Sequence, residues 1–317
     1  MNLRREHKTW SDYGNALARL MIHNPGEQLS NGEQQSIKDQ VSASYDEWSD
    51  GELPFWNWGF FDQEAHRQIS QKLGEYDRHG SDGFSEQLYY FTLGQVPHQD
   101  GAPRKILEVG SGAGAGLNFL SRLEPASTFA GVDLARLAVA RATARFSRPG
   151  SLHYVHGDAE KLPFEDGEFD VVINVESSHN YPRLGAFFAE VSRVLKPGGH
   201  FSHVDFYTDE RRAEIERCKS DAKGLQFIAE QDISDRVKSA IRQRMEPHSI
   251  FRTQVRKAAP LLTRFIAEPG AMIQYGSTFI QHTTLLERAL PASAASNGGR
   301  VVSRINTYRH ALAVKPG

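Results

Sequence analysis

Apolar runs of strand length recur along the middle of the chain, at KILEV (105–109), FAGV (129–132), HYVH (153–156), FDVVINV (169–175) and HFSHVDF (200–206). Helical stretches lie between several of them. The clearest covers 183–195, where Leu184, Phe187, Phe188, Val191, Val194 and Leu195 follow helical spacing. Pro182 stands where a first-turn proline is tolerated, and KPGG (196–199) ends that helix. Strands alternating with helices predict an α/β fold with a doubly wound, mostly parallel sheet covered on both faces. Residues 1–100 read as short helices and turns forming a lid, 101–207 as the Rossmann-like core, and 208–317 as a cap, final strands and tail. Within that last part, charged helix is expected to about Met245. QYGSTFIQHTTLLERAL (274–290) suggests further strands and a helix, and PASAASNGG (291–299) a flexible spacer.

Composition narrows the function classes. A chain of 317 residues with a net charge of −2 carries no electrostatic footprint for nucleic acid or anionic membrane. Its single cysteine, Cys218, excludes an intramolecular disulfide, and no cysteine cluster offers a zinc site. With no signal-like start and no apolar stretch of membrane-spanning length, a cytoplasmic protein is expected.

In an open parallel sheet, ligands bind beyond the carboxyl ends of the strands. Acids gather there in this chain. Glu108 precedes the turn GSGAGAG (110–116), and Asp133, Asp158, Glu176 and Asp205 follow or end the next four strands. Gly110, Gly112 and Ala115 satisfy the G-x-G-x-x-G/A fingerprint, so the turn alone allows NAD as well as another adenosine cofactor.

The discriminating stretch lies downstream, in GDAEKLPFEDGEFDVV (157–172) followed by LKPGG (195–199). This order of motifs resembles the class I S-adenosylmethionine-dependent methyltransferases. LYYFTLG (88–94), LEVGSGAGAGLNFLSR (107–122) and NVESSHNYPRLGAFFAEVSRVLKPGGHF (174–201) resemble, more narrowly, the phthiotriolone-type enzymes. YDEW (45–48) with NWGFFD (57–62) is similar to the lid of sterol and tocopherol methyltransferases, with Trp58 in place of a histidine and Phe60–Phe61 in place of Tyr–Trp.

The resemblance implies S-adenosyl-L-methionine as cofactor and an apolar secondary metabolite as acceptor. It places Gly110, Ser111 and Gly112 against the methionyl and ribose parts, and Asp133 on the ribose hydroxyls with Leu134 beside the adenine. Asp158 and Ala159 would meet the adenine edge, and Glu108 the amino end. Tyr45, Trp58, Asn174 and Val175 complete the candidate cofactor contacts. In ESSHNYP (176–182), His179 is the candidate base for a hydroxyl acceptor, since an imidazole suits proton removal near neutral pH. Glu176 contacts the cofactor, orients His179 or plays a purely structural part. His203 and Asp205 share one face of the fifth strand and read either as polar residues near its end or as part of the pocket lining. Arg211 and Arg212 read as a solvated helix face. The aromatic cluster FWNWGFF (55–61) is open between core packing, an apolar pocket wall and cation–π stabilisation. Three rivals to oxygen transfer remain: methylation of an isoprenoid or quinone-like carbon, an NAD-dependent oxidoreductase, and a silent binding module.

Overall fold

The computed structural model describes residues 3–22, 29–49, 55–74, 81–98, 101–258, 279–280 and 297–317. Four helices come first: α1 (Leu3–Met21), α2 (Asn31–Trp48), α3 (Gln63–Leu73) and α4 (Phe84–Gly94). The core then runs β1 (Lys105–Val109), α5 (Ala115–Leu123), β2 (Thr128–Asp133), α6 (Arg136–Phe146), β3 (Leu152–His156) and β4 (Phe169–Val175). A 3₁₀ turn (Ser178–Asn180) leads to α7 (Leu184–Val194) and β5 (Leu195–Tyr207). After these come α8 (Asp209–Asp221), β6 (Gln226–Asp232), α9 (Ser234–Met245), α10 (Ile250–Ala258), α11 (Asn297–Arg304) and β7 (Thr307–Val314).

One seven-stranded sheet has the order β3-β2-β1-β4-β5-β7-β6, parallel except for β7, which is antiparallel to both neighbours. Helices cover both faces, so the central strands are near-continuous apolar runs rather than alternating ones. β4 shows this best: six of its seven residues are buried. Strand order reverses between β1 and β4, which opens a crevice at their carboxyl ends.

The N-terminal helices close over that crevice. Ser30 and Glu33 form a reciprocal capping box that starts α2. Further along, Ser42 Oγ donates to the Leu134 carbonyl at 3.2 Å. α6 has no side-chain cap of its own, and Asp46 of α2 supplies one, accepting from the Leu137 amide at 2.6 Å.

Three expectations change. The charged region after Tyr207 is not all helix, because β6 interrupts it. β6 is an edge strand with six of its seven residues exposed, so it carries no apolar signature. Arg211 is buried, donating to the Ser178 and Tyr181 carbonyls at 2.9 and 2.7 Å, while Arg212 is exposed. Asn297, Gly298 and Gly299 begin α11 instead of continuing a spacer. Apart from Phe279 and Ile280, the segment 274–290 lies outside the described residues.

Candidate active site

The glycine turn is built by close approach. Gly110 has φ +80°, and a Cβ there would stand 1.9 Å from Ser177 Oγ. Its amide and that of Ser111 both donate to the Val132 carbonyl, at 2.8 and 3.1 Å, which ties the turn to β2. Gly112 N–H then reaches Asp133 Oδ2 at 2.8 Å, and Ala135 N–H reaches Oδ1 at 2.8 Å. Each carboxylate oxygen keeps a lone pair for a further donor.

The turn, Asp133, Leu134, Asp158 and Ala159 line one cleft with Tyr45, Val175 and Glu176. Asp158 Oδ2 accepts from Lys38 of α2 at 2.7 Å, and Lys38 also reaches Glu160 at 2.6 Å. Lys38 is the one cation among the described residues lining the cleft. An adenosine with hydroxyls and an amino group fits such an acid-rich wall, whereas a pyrophosphate would meet few cations. Glu108 Oε2 and Ser111 Oγ are buried and have no hydrogen-bond partner among the described residues, which leaves polar capacity for a ligand. Tyr89 donates to the other Glu108 oxygen at 2.7 Å, and burial pushes this carboxyl up to about 8.

At the tip of β4 the backbone turns sharply. Glu176 has φ +46°, a left-handed conformation unusual for a residue with a Cβ. The following turn carries His179 toward β5. His179 Nδ1 lies 2.8 Å from Asp205 Oδ1, and Asp205 Oδ2 accepts from the His179 amide (2.9 Å) and Ser178 Oγ (2.7 Å). Burial alone pushes the Asp205 carboxyl up, but His179 and the surrounding donors hold it below the usual carboxylate range. A carboxylate at Nδ1 fixes the proton there and leaves Nε2 as an acceptor. Nε2 faces Asn180 Nδ2 at 3.0 Å.

A methyltransferase-domain family model matches residues 107–202. The fatty-acid O-methyltransferase of Mycolicibacterium smegmatis is 35% identical over 215 residues, covering 68% of this chain and 74% of that protein. A probable phthiotriol/phenolphthiotriol dimycocerosates methyltransferase of Mycobacterium ulcerans is 38% identical over 186 residues, 59% of this chain and 68% of its own. The chain belongs to the class I S-adenosylmethionine-dependent methyltransferases. In fold it is similar to the geranyl diphosphate C-methyltransferase of Streptomyces coelicolor A3(2), at a TM-score of 0.53 and 15% identity over 88% of this chain and 98% of that one.

The cofactor of this methyltransferase is S-adenosylmethionine. Of the sequence candidates, Tyr45, the glycine turn, Asp133, Leu134, Asp158, Ala159, Val175 and Glu176 come together on the cleft. Trp58, Glu108, Asn174 and His179 stand behind it. Trp58 is buried and stacks on Phe206 at 4.7 Å, while its neighbour Trp56 takes the cleft wall. Asn174 Nδ2 donates to the Val109 carbonyl (2.8 Å) and Tyr181 Oη (3.1 Å), bridging β4 to β1 and to the exit loop.

Glu176 does not orient His179. Its Oε1 accepts from the Trp58 amide (2.7 Å) and from Tyr308 Oη, and burial pushes it up to about 8. Asp205 is the carboxylate in contact with the His179 ring, and sequence reasoning read it as a polar residue near a strand end. His203 reaches Ser178 Oγ at 2.8 Å and is driven down to about 3 by burial, a neutral support for the same turn. Lys38, Tyr89, Asn180 and Tyr308 were missed. Each acts from a distant part of the fold or through a neighbour in the loop; the LYYFTLG motif contained Tyr89 and the ESSHNYP stretch Asn180, but neither assigned them a role.

Proposed function

We propose that this enzyme methylates a hydroxyl oxygen on an apolar small molecule in the cytoplasm, with His179 as general base and Asp205 as its orienting partner. The observation that carries the reading is the Asp205–His179 pair beside the cofactor cleft, with Nδ1 committed to the carboxylate and Nε2 left to accept a proton. The relatives are named for a fatty acid and for phthiotriol dimycocerosates, which supports an apolar acceptor.

Toward the cofactor, Asp133 would take the ribose hydroxyls, Asp158 the adenine amino group, and Glu108 the amino end. S-adenosylmethionine supplies a methyl group already activated on a sulfonium, which leaves sulfur as the oxygen–methyl bond forms. The protein's part is to align the hydroxyl and to receive its proton on Nε2, worth typically about 100- to 10,000-fold in rate.

Transfer to carbon has less support. The cleft offers a diphosphate only Lys38 among the described residues. Incubation with labelled cofactor and hydroxylated apolar acceptors, followed by mass-spectrometric location of the methyl, tests the proposal. A methyl group found on carbon would overturn it.

A further inference from the structure

Asn180 stands between the base and the cleft. It lines the cleft and is 94% buried by its 6% residual exposure, and its Nδ2 donates to His179 Nε2 at 3.0 Å and toward Tyr45 Oη at 3.3 Å. Its Oδ1 is buried with no partner among the described residues. An unpaired buried carbonyl oxygen is costly, and a ligand that donates a hydrogen bond relieves it.

The place on Nε2 is therefore already taken by an N–H. A group can replace that amide without loss only if it too is a donor, because Asp205 holds the proton on Nδ1 and keeps Nε2 an acceptor. We propose that Asn180 is a specificity-determining residue: the acceptor hydroxyl enters by exchange for its amide on Nε2, and an acceptor-only carboxylate is refused. This rests on the reading of His179 as the base.

The charges facing this position agree. Asp205 of β5 lies against the ring as a carboxylate, while Glu176 at the end of β4, raised to about 8 by burial, lines the same cleft without a charge at neutral pH. Tyr45 of α2, with Tyr13 of α1 packed against it at 6.0 Å, presents hydroxyl groups. Of the nearby cations, Lys38 is held by Asp158 and Glu160, and Arg211 by Glu214. A carboxylate would meet the Asp205 charge without a free counter-ion among these groups. In turnover, the hydroxyl proton passes to Nε2, the oxygen takes the methyl, and S-adenosylhomocysteine remains.

The test uses the full chain labelled with ¹⁵N-histidine and loaded with S-adenosylhomocysteine, with His179→Gln assigning the resonance. A long-chain alcohol should shift the Nε2 signal, the fatty acid of equal length should not, and Asn180→Ala should shift it before any acceptor is added. With S-adenosylmethionine, kcat/KM should favour the alcohol by at least about 100-fold. Equal response to both ligands, or an unmoved signal in Asn180→Ala, would reject the exchange at Asn180. A His179→Gln enzyme with undiminished turnover would instead reject the base assignment beneath it.

Discussion

His179 Nδ1 and Asp205 Oδ1 lie 2.8 Å apart although 26 residues separate them in the chain. β4 and β5 are neighbours in the sheet, with Val175 opposite Val204, so the turn after one strand falls over the end of the other. The same carboxylate also receives Ser178 Oγ and the amides of His179 and Phe206. Four donors on one buried acid make its orientation rigid.

Asp205→Asn should lower kcat by about 100- to 10,000-fold, since an amide can present its NH₂ to Nδ1 and favour the wrong tautomer. Binding of S-adenosylhomocysteine by calorimetry should be unchanged. Loss of binding in parallel with rate would assign Asp205 to the cleft's architecture instead.

Glu176 gives a pH signature in stability. Its ordinary value is 4.5, and burial raises it to about 8 in the folded chain, with Glu108 raised in the same way. The folded protein then keeps protons that the unfolded chain releases. The stabilisation is full below 4.5 and is lost as pH rises toward 8. Glu176→Gln should remove its share of this decline, flattening melting temperature against pH between about 5 and 8. An unchanged slope would mean that Glu176 is ionised in the fold.

Asp133→Asn should weaken S-adenosylhomocysteine binding by about 10- to 100-fold, through one lost acceptor on the ribose and a strained glycine turn. Calorimetric affinity within about twofold of the parent enzyme would remove Asp133 from the cofactor contacts.

Gly116→Ala tests the packing beneath the cleft. A Cβ there would stand 1.9 Å from Cζ of Tyr89, whose hydroxyl holds Glu108. Overpacking of this kind should cost about 1–3 kcal/mol, seen in denaturant unfolding. A fully stable variant would show that Tyr89 moves freely.

The strands from Lys105 to Val175 and the helix Leu184–Val194 were legible because central parallel strands bury both faces and amphipathic helices bury one. β7, TYRHALAV, was hidden. Arg309 and His310 break its apolar pattern, yet both find partners across the sheet, in Glu230 and in Ser202. Arg211 looked solvated on composition and is buried, with two carbonyls of the exit loop and Glu214 holding its two terminal nitrogens.

By itself the amino-acid sequence determined the alternating α/β plan, the glycine turn and the acids at the strand tips. These follow from local apolar periodicity and short motifs. Only tertiary structure decided which acid serves which partner: Asp205 for His179, and Glu176 for Trp58 and Tyr308. A carboxylate's role depends on where its two oxygens point across neighbouring strands, and that direction is set by sheet order and register, which no local pattern encodes.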